Sequence, residues 1–377
     1  MVVAEKIEQV ARASYGRLLA ILAAPTGDIP AAEDALSDAF ERALTAWQSD
    51  LPANPEGWLL TVARNRLKDL YKSAGYRVSE LPEATATLDA TDLDAIPDKR
   101  LALLFTCAHP AIDPGIRTAL MLQTVLGFDA AQVARAFAVP EPAMAQRLVR
   151  AKRKIKNTRI RFAVPDRSEI PTRLPPVLEA IYGAYAITAL DGEALYLAVT
   201  LSELLDDPEV LGLAALISLS MSRPHDGDYV PLDDQNPSGW NLDLIARGES
   251  LLARASSFGV IGRFQLEAAI QSAHADRART GVTDHAALLT LHTALVQVAP
   301  TLGARVSLAV AVARVAGFAA GLAALHSIEG ATEFQPWWAA EAWLLEGMGD
   351  REGAASARSK AIELTTDERE RAWLTAR

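Results

Sequence analysis

Residues 143–164, AMAQRLVRAKRKIKNTRIRFAV, carry eight Lys or Arg and no Asp or Glu, in a chain whose formal net charge is −10. Gln146, Arg147, Arg150, Lys152, Arg153 and Lys154 fall within one helical stretch, Pro140 to Lys156, and positions 143, 146, 147 and 150 share a face. Such side chains suit a polyanion. Gln pairs bidentately with adenine and Arg with guanine in the major groove, while Lys mostly holds phosphate. A solvated basic face on an ordinary helix has the same composition. The preceding residues favour nucleic acid: Gly127 and Asp129 open a short helix, DAAQVARAF, VPEPA makes a turn, and Ala134 and Val139 are spaced to pack a helix-turn-helix.

A second cationic helix lies upstream. WLLTVARNRLKDLYKS (58–73) turns Trp58, Leu59, Val62, Ala63, Leu67 and Leu70 inward and Arg64, Arg66, Lys68 and Lys72 outward, with Asn65 among them. Cations beside an aromatic entry are what a protein needs to hold single-stranded DNA, and a surface helix with balanced ion pairs is the plainer alternative. Before it, a helix from about Pro30 to Trp47 places Ala32, Leu36, Ala39, Phe40, Ala43 and Leu44 on one face and Glu33, Asp34, Asp38, Glu41 and Arg42 on the other. Alone, that acidic face reads as solvated.

The elements that must position these side chains are helices almost throughout. Half of the 377 residues are hydrophobic and only 6% aromatic, which favours helices and suits two or three domains. Residues 4–24 form a first amphipathic helix ended by Pro25, Thr26 and Gly27, and Glu5 and Glu8 make the start unlike a signal peptide. Residues 78–98 hold six acidic and no basic residues and read as an extended tether. Helices at 99–109 and 113–126 flank Pro110 and Pro114. Charge then divides the chain: residues 166–377 hold 16 basic and 28 acidic residues, a balance of −12, which leaves +2 for residues 1–165. The C-terminal part therefore repels DNA on average and has a protein, or itself, as the expected partner. Within it, 337–364 and, more loosely, 303–327 have the small–small–large pattern of helical-hairpin repeats, with Ala354, Arg358 and Ala361 at tetratricopeptide positions. The lack of a long apolar run and the single cysteine fit a cytoplasmic location.

Enzyme chemistry has little support. Cys107 with His109 lies within an apolar helix pattern and reads as packing, with no second cysteine to complete a thiolate site. His225, Asp226 and Asp228 read as a polar loop tip, and Trp337 with Trp338 as a repeat-packing pair. No phosphate-binding loop, dinucleotide fingerprint, nucleophile elbow or zinc motif is present. No catalytic residue, metal or cofactor is expected.

The order of parts, AAEDALSDAFERALTAW, then PEGWLLTVARNRLKDLYK, an acidic tether and a helix-turn-helix ending QRLVRAKRKI, resembles the bacterial extracytoplasmic-function sigma factors. FTCAHPAIDP, PLDDQNPSGW and GRFQLEAAIQSAHA narrow the resemblance to a subgroup with a tetratricopeptide-like C-terminal extension. The resemblance implies an all-α protein: a region-2 domain at 1–77, a linker at 78–98, a region-4 domain at 99–164 and a helical regulatory extension at 165–377. It implies that Glu33, Asp34, Asp38, Phe40 and Glu41 dock on core RNA polymerase. It implies that the 47–57 loop helps capture a flipped base of the −10 element, with Arg64, Asn65, Lys68 and Lys72 on adjacent promoter DNA. It places 140–154 in the −35 major groove. Two departures stand out. Ala143 replaces a common threonine of the recognition helix, and IYGAYAIT (181–188) replaces an Asn-Glu-Gly-Tyr run. The extension is expected to contact the sigma domains and modulate activity. A one-component helix-turn-helix regulator with a ligand- or protein-binding C-terminal domain is the alternative.

Overall fold

The computed structural model describes residues 3–73, 97–160, 162–187, 191–223 and 227–376. These are all-α, with no strand among the described residues. They form two compact units, Met1–Thr200 and Leu201–Arg377. Of the expected tether, 78–96 lies outside the described residues, and Pro97 and Asp98 belong to the helix that follows.

The first unit opens with α1 (Val3–Ala23), α2 (Ile29–Ser49) and α3 (Pro55–Ser73). Asp28 starts α2: its carboxylate accepts a hydrogen bond from the Ala31 amide at 3.2 Å and Pro30 occupies the first turn, where no amide hydrogen is needed. The apolar face of α2 buries Ile29, Ala32, Ala35, Leu36, Ala39, Ala43 and Trp47. Leu44, expected on that face, is 46% exposed, because the buried stripe continues through Ala43 and Trp47 instead.

Next come α4 (Pro97–Cys107), α5 (Pro114–Thr124), α6 (Ala130–Ala136) and α7 (Glu141–Thr158). Asp129 and Gln132 make a reciprocal capping box at the start of α6. The turn into α7 puts Ala138 at φ 50°, and Arg159 ends α7 in the left-handed region. Met144, Leu148, Ala151 and Ile155 form the buried stripe of α7. Cys107 is fully buried 3.6 Å from the Thr124 hydroxyl, and burial pushes its thiol up to about 12, so it packs rather than reacts.

Two helices of the expected extension, α8 (Ile170–Ile187) and α9 (Asp191–Leu204), begin within this first unit. Their apolar faces need cover, and α5 supplies it: Gly183 sits against the Leu122 side chain. Arg100 on α4 pairs with Glu193 and stacks over Tyr196 on α9. Between α1 and the end of α5 the backbones approach closely: any Cβ at Gly16 would overlap the carbonyl oxygen of Val125.

The second unit is a stack of helices: α10 (Pro208–Met221), α11 (Leu242–Ser256), α12 (Arg263–Ala275), α13 (Arg277–Thr280), α14 (His285–Val298), α15 (Leu302–Ala316), α16 (Phe318–His326), α17 (Gln335–Met348), α18 (Arg351–Leu364) and α19 (Glu368–Thr375). The hairpins expected near 303–327 and 337–364 are α15–α16 and α17–α18. Small residues let their helices approach: Gly321 meets Ala313, and Ala354, Ala357 and Ala361 are buried on α18. The Trp337 and Trp338 indole N–H groups donate to the Leu325 and Thr332 carbonyls, as a packing pair should.

The Gly16 contact generates a test. In an isolated helix, alanine is better than glycine by about 0.8–1.0 kcal/mol. Gly16→Ala should nonetheless destabilise the chain by about 1–3 kcal/mol, because α1 must move off α5. Denaturant melts check this, and a stabilised variant would contradict the packing.

Candidate nucleic-acid interface

The cationic helix α7 serves two sides. Gln146, Arg147, Arg150, Arg153 and Lys154 are exposed. Arg147, Arg150 and Lys154, spaced i, i+3 and i+7, line a cleft of about 490 Å³ with Asp113, Gly115 and Ile116 at the start of α5. There the Asp113 carboxylate already accepts the Gly115 amide at 2.8 Å. The outward face thus offers three converging cations with Gln146 and Arg153 beside them, a surface for a polyanion's backbone and base edges.

Lys152 is different. Expected with the DNA-facing set, it is only 7% exposed, and its Nζ lies 2.5 Å from Glu33 Oε1 on α2. The physical reason is register: Lys152 follows Ala151 on the buried stripe, so its stem is covered by α2 and its ammonium meets a carboxylate there. One turn on, Lys156 pairs with Asp28 at 2.7 Å. Asp28 is buried, so one carboxylate both caps α2 and ties it to α7.

The acidic helix is divided in the same way. Asp34 and Glu41 are exposed, Phe40 is half-buried, and Asp38 is 2.5 Å from Arg66 Nε on α3. Glu33 faces inward onto Lys152. Burial raises the Glu33 carboxyl above its ordinary value, and Lys152 pulls it back without cancelling that rise. Burial first, and then the carboxylates of Glu33 and Asp34, keep the neighbouring Tyr15 phenol protonated.

On α3, Asn65, Lys68 and Lys72 are exposed, while burial lowers the pKa of half-buried Arg64. Trp47 and Trp58 meet edge to face at 5.7 Å behind the connection between α2 and α3, where Leu51 is 47% exposed and Asn54 caps the Gly57 amide at 2.9 Å. Arg17 and Ser14 both hold Glu56 at the start of α3. The Arg64, Asn65, Lys68 and Lys72 set therefore sits on the same three-helix subdomain as the acidic face, and the α7 cations on another.

Residues 10–76, covering most of α1–α3, match the family Sigma-70 region 2, and residues 173–256 match a family of unknown function, DUF6596. The uncharacterized protein R00370 of Rhizobium meliloti (strain 1021) is 31% identical over 373 residues, which span 91% of this chain and 88% of the relative. The probable ECF RNA polymerase sigma factor SigI of Mycobacterium tuberculosis, from two strains, is 31% identical over 159 residues, 39% of this chain and 53% of that protein. No solved structure matches. The chain belongs to the extracytoplasmic-function sigma factors, with a C-terminal extension.

A sigma factor acts in transcription initiation, with RNA polymerase and promoter DNA as the family's partners, and the family is generally not enzymatic. In this sigma factor no helix among the described residues is long and apolar enough to cross a membrane. His109 serves structure, its Nδ1 accepting the Ala111 amide at 3.0 Å. His225 and Asp226 lie outside the described residues, as do Thr188 and the two residues after it. The rest of IYGAYAIT lies in the last turns of α8, where Ile181 and Ala184 are buried and Ala186 is exposed.

Sequence reasoning missed the tie between α2 and α7. It missed the α1–α5 contact as well; the signals were Asp28 before Ile29-Pro30, which spells an N-cap, and Gly16, which stands in mid-helix without a turn. Neither says which partner the residue meets.

The ion pair generates a pH prediction. A carboxyl whose folded pKa is raised contributes stability at low pH and loses it as pH rises through that value. In Lys152→Ala the countercharge is gone and the Glu33 pKa rises further. The variant should lose about 2 kcal/mol or more at about pH 8 and approach the parent at about pH 5. Melts at the two pH values check this, and an equal loss at both would contradict it.

Proposed function

We propose that this sigma factor binds core RNA polymerase through α2, reads a −10 element with α3 and a −35 element with α7, and initiates transcription under the control of its C-terminal extension. The observation that carries the reading is the outward face of α7, where Gln146, Arg147, Arg150, Arg153 and Lys154 stand exposed behind a capped helix-turn-helix. In this reading residues 1–77 are the region-2 domain, 78–98 the linker, 99–164 the region-4 domain and 165–377 the tetratricopeptide-like extension.

Asp34, Asp38, Phe40 and Glu41 supply the polymerase-docking face, and Glu33 joins them once it leaves Lys152. Arg64, Asn65, Lys68 and Lys72 hold the melted −10 strand beside the 47–57 loop, where trapping an unstacked base offsets an unpairing cost of a few kcal/mol. Arg147 and Arg150 specify the −35 element, with Arg153 and Lys154 on phosphate. Lys152 moves from the DNA set to a clasp.

The free chain is a closed form. Glu33 cannot meet polymerase, nor Lys152 DNA, while the two pair across α2 and α7. The extension supports this state, since α8 and α9 pack on α5 and α4 through Gly183, Arg100 and Glu193. Polymerase binding to α2 competes with the clasp, and the linker then lets polymerase set the spacing of the two reading elements, so that two weak contacts add.

Transcription from a cognate promoter with purified core polymerase tests the reading. Arg147→Ala with Arg150→Ala should lower initiation at least about tenfold, since each bidentate base contact is worth about 1–3 kcal/mol, with binding to core polymerase unchanged. Tight duplex binding by the intact chain without polymerase, and no polymerase-dependent transcript, would favour a one-component regulator instead.

A further inference from the structure

The second unit contains a cleft of about 980 Å³, lined by α12, α14, α15, α17 and α19 and by the chain's own segment Tyr229–Asp234. That volume is at the upper end for a small-molecule site and suits several residues of a peptide. The segment lies in it as a ligand would. The Tyr229 ring meets Trp373 edge to face at 5.3 Å. Asp233 pairs with Arg314, whose guanidinium lies 4.6 Å from the Trp343 ring centroid. Arg277 donates to the carbonyls of Leu232, Asp233 and Gln235 at 2.9, 3.0 and 2.6 Å. An aromatic anchor, a carboxylate and a run of main-chain carbonyls are thus read by side chains from three separate places in the helix stack.

The segment is held loosely for so many contacts. Tyr229 and Val230 are 38% and 44% exposed. The Asp233 and Arg314 side chains are 40% and 36% exposed, in the range where water screens an ion pair and it holds weakly. Without the segment, Arg314 would share the cleft with Glu370, the Arg358–Glu346 ion pair and His274, His285 and His292, and the nearby Arg277 would lose its three carbonyl partners. Burial, with Arg223 next in effect, lowers His274 to about 4, so it stays neutral. His292 Nδ1 is buried without a hydrogen-bond partner among the described residues. In a C-terminal part of net −12, the chain's own acidic segment thus satisfies two guanidiniums, Arg314 through Asp233 and Arg277 through three main-chain carbonyls.

We propose that this cleft is a docking site for an acidic, aromatic-bearing extended peptide of a partner protein, and that Tyr229–Gln235 occupies it in the free chain. The partner's aromatic ring takes the place of Tyr229 on Trp373, its carboxylate takes Arg314 from Asp233, and its carbonyls take Arg277. A tethered segment competes at an effective concentration on the order of millimolar, so only a partner with more contacts, or a released segment, fills the cleft. This inference does not depend on how the sigma domains read a promoter.

The test uses the full chain and a fluorescein-labelled peptide, GDYVPLDDQN, which is the sequence of residues 227–236. Two variants release the cleft: Tyr229–Gln235 replaced by a Gly-Ser stretch of equal length, and Tyr229→Ala combined with Asp233→Asn. Fluorescence anisotropy should show the peptide binding at least about tenfold more tightly to a released chain than to the parent. Arg314→Ala in the released chain, or Asn in place of the peptide residues that correspond to Asp233 and Asp234, should weaken that affinity about threefold. If the Gly-Ser chain does not fold, as judged by circular dichroism, the double substitution carries the test. Failure of every folded released chain to gain peptide binding, or equal binding of the Asn peptide, overturns the proposal.

Discussion

Two salt bridges between α2 and α7, Lys152 with Glu33 and Lys156 with Asp28, fix how the first unit is arranged. They join helices that are remote in sequence and belong to different subdomains. They also decide which side of α7 is covered, and hence which of its cations remain outside. Ion pairs of this kind are poor sources of net stability, because removing two charges from water costs nearly what their attraction returns. They are good sources of register, and their balance is easily tipped by a competing partner. The close approach of Gly16 to Val125 adds a steric condition at another contact of the unit: α1 seats on the end of α5 only because no side chain stands between them.

Much of this was legible in the sequence. Helices α1 to α7 and the helix-turn-helix follow from apolar spacing, from Asp28-Ile29-Pro30 and from Asp129 with Gln132, because caps and periodicity are local. The exposed face of α7 was legible for the same reason. Lys152 was not. A charge run shows where cations are concentrated but not which of them meets a carboxylate 119 residues away. Leu44 illustrates a similar limit: it keeps helical spacing with Phe40, yet the neighbouring helices cover Ala43 and Trp47 instead.

The C-terminal part was legible as hairpins and no further. Small residues on α18 spell close helix packing, but the position of the PLDDQNPSGW segment depends on Arg277, Arg314 and Trp373, all far along the chain. The division at Thr200 was also hidden, since α8 has a continuous apolar face whose partner, α5, lies more than forty residues upstream. Within the first unit, α8 and α9 complete the packing of α5 and α4.

The central claim is that α2 and α7 are clasped in the free chain and separate on polymerase. Spin labels at Ser37→Cys and Asn157→Cys, both exposed, report it directly, and the native Cys107 is buried and will not label. The distance distribution should be short and narrow in the free chain and move to longer values when core polymerase is added. A broad, long distribution in the free chain, or an unchanged short one in the polymerase complex, would contradict the account.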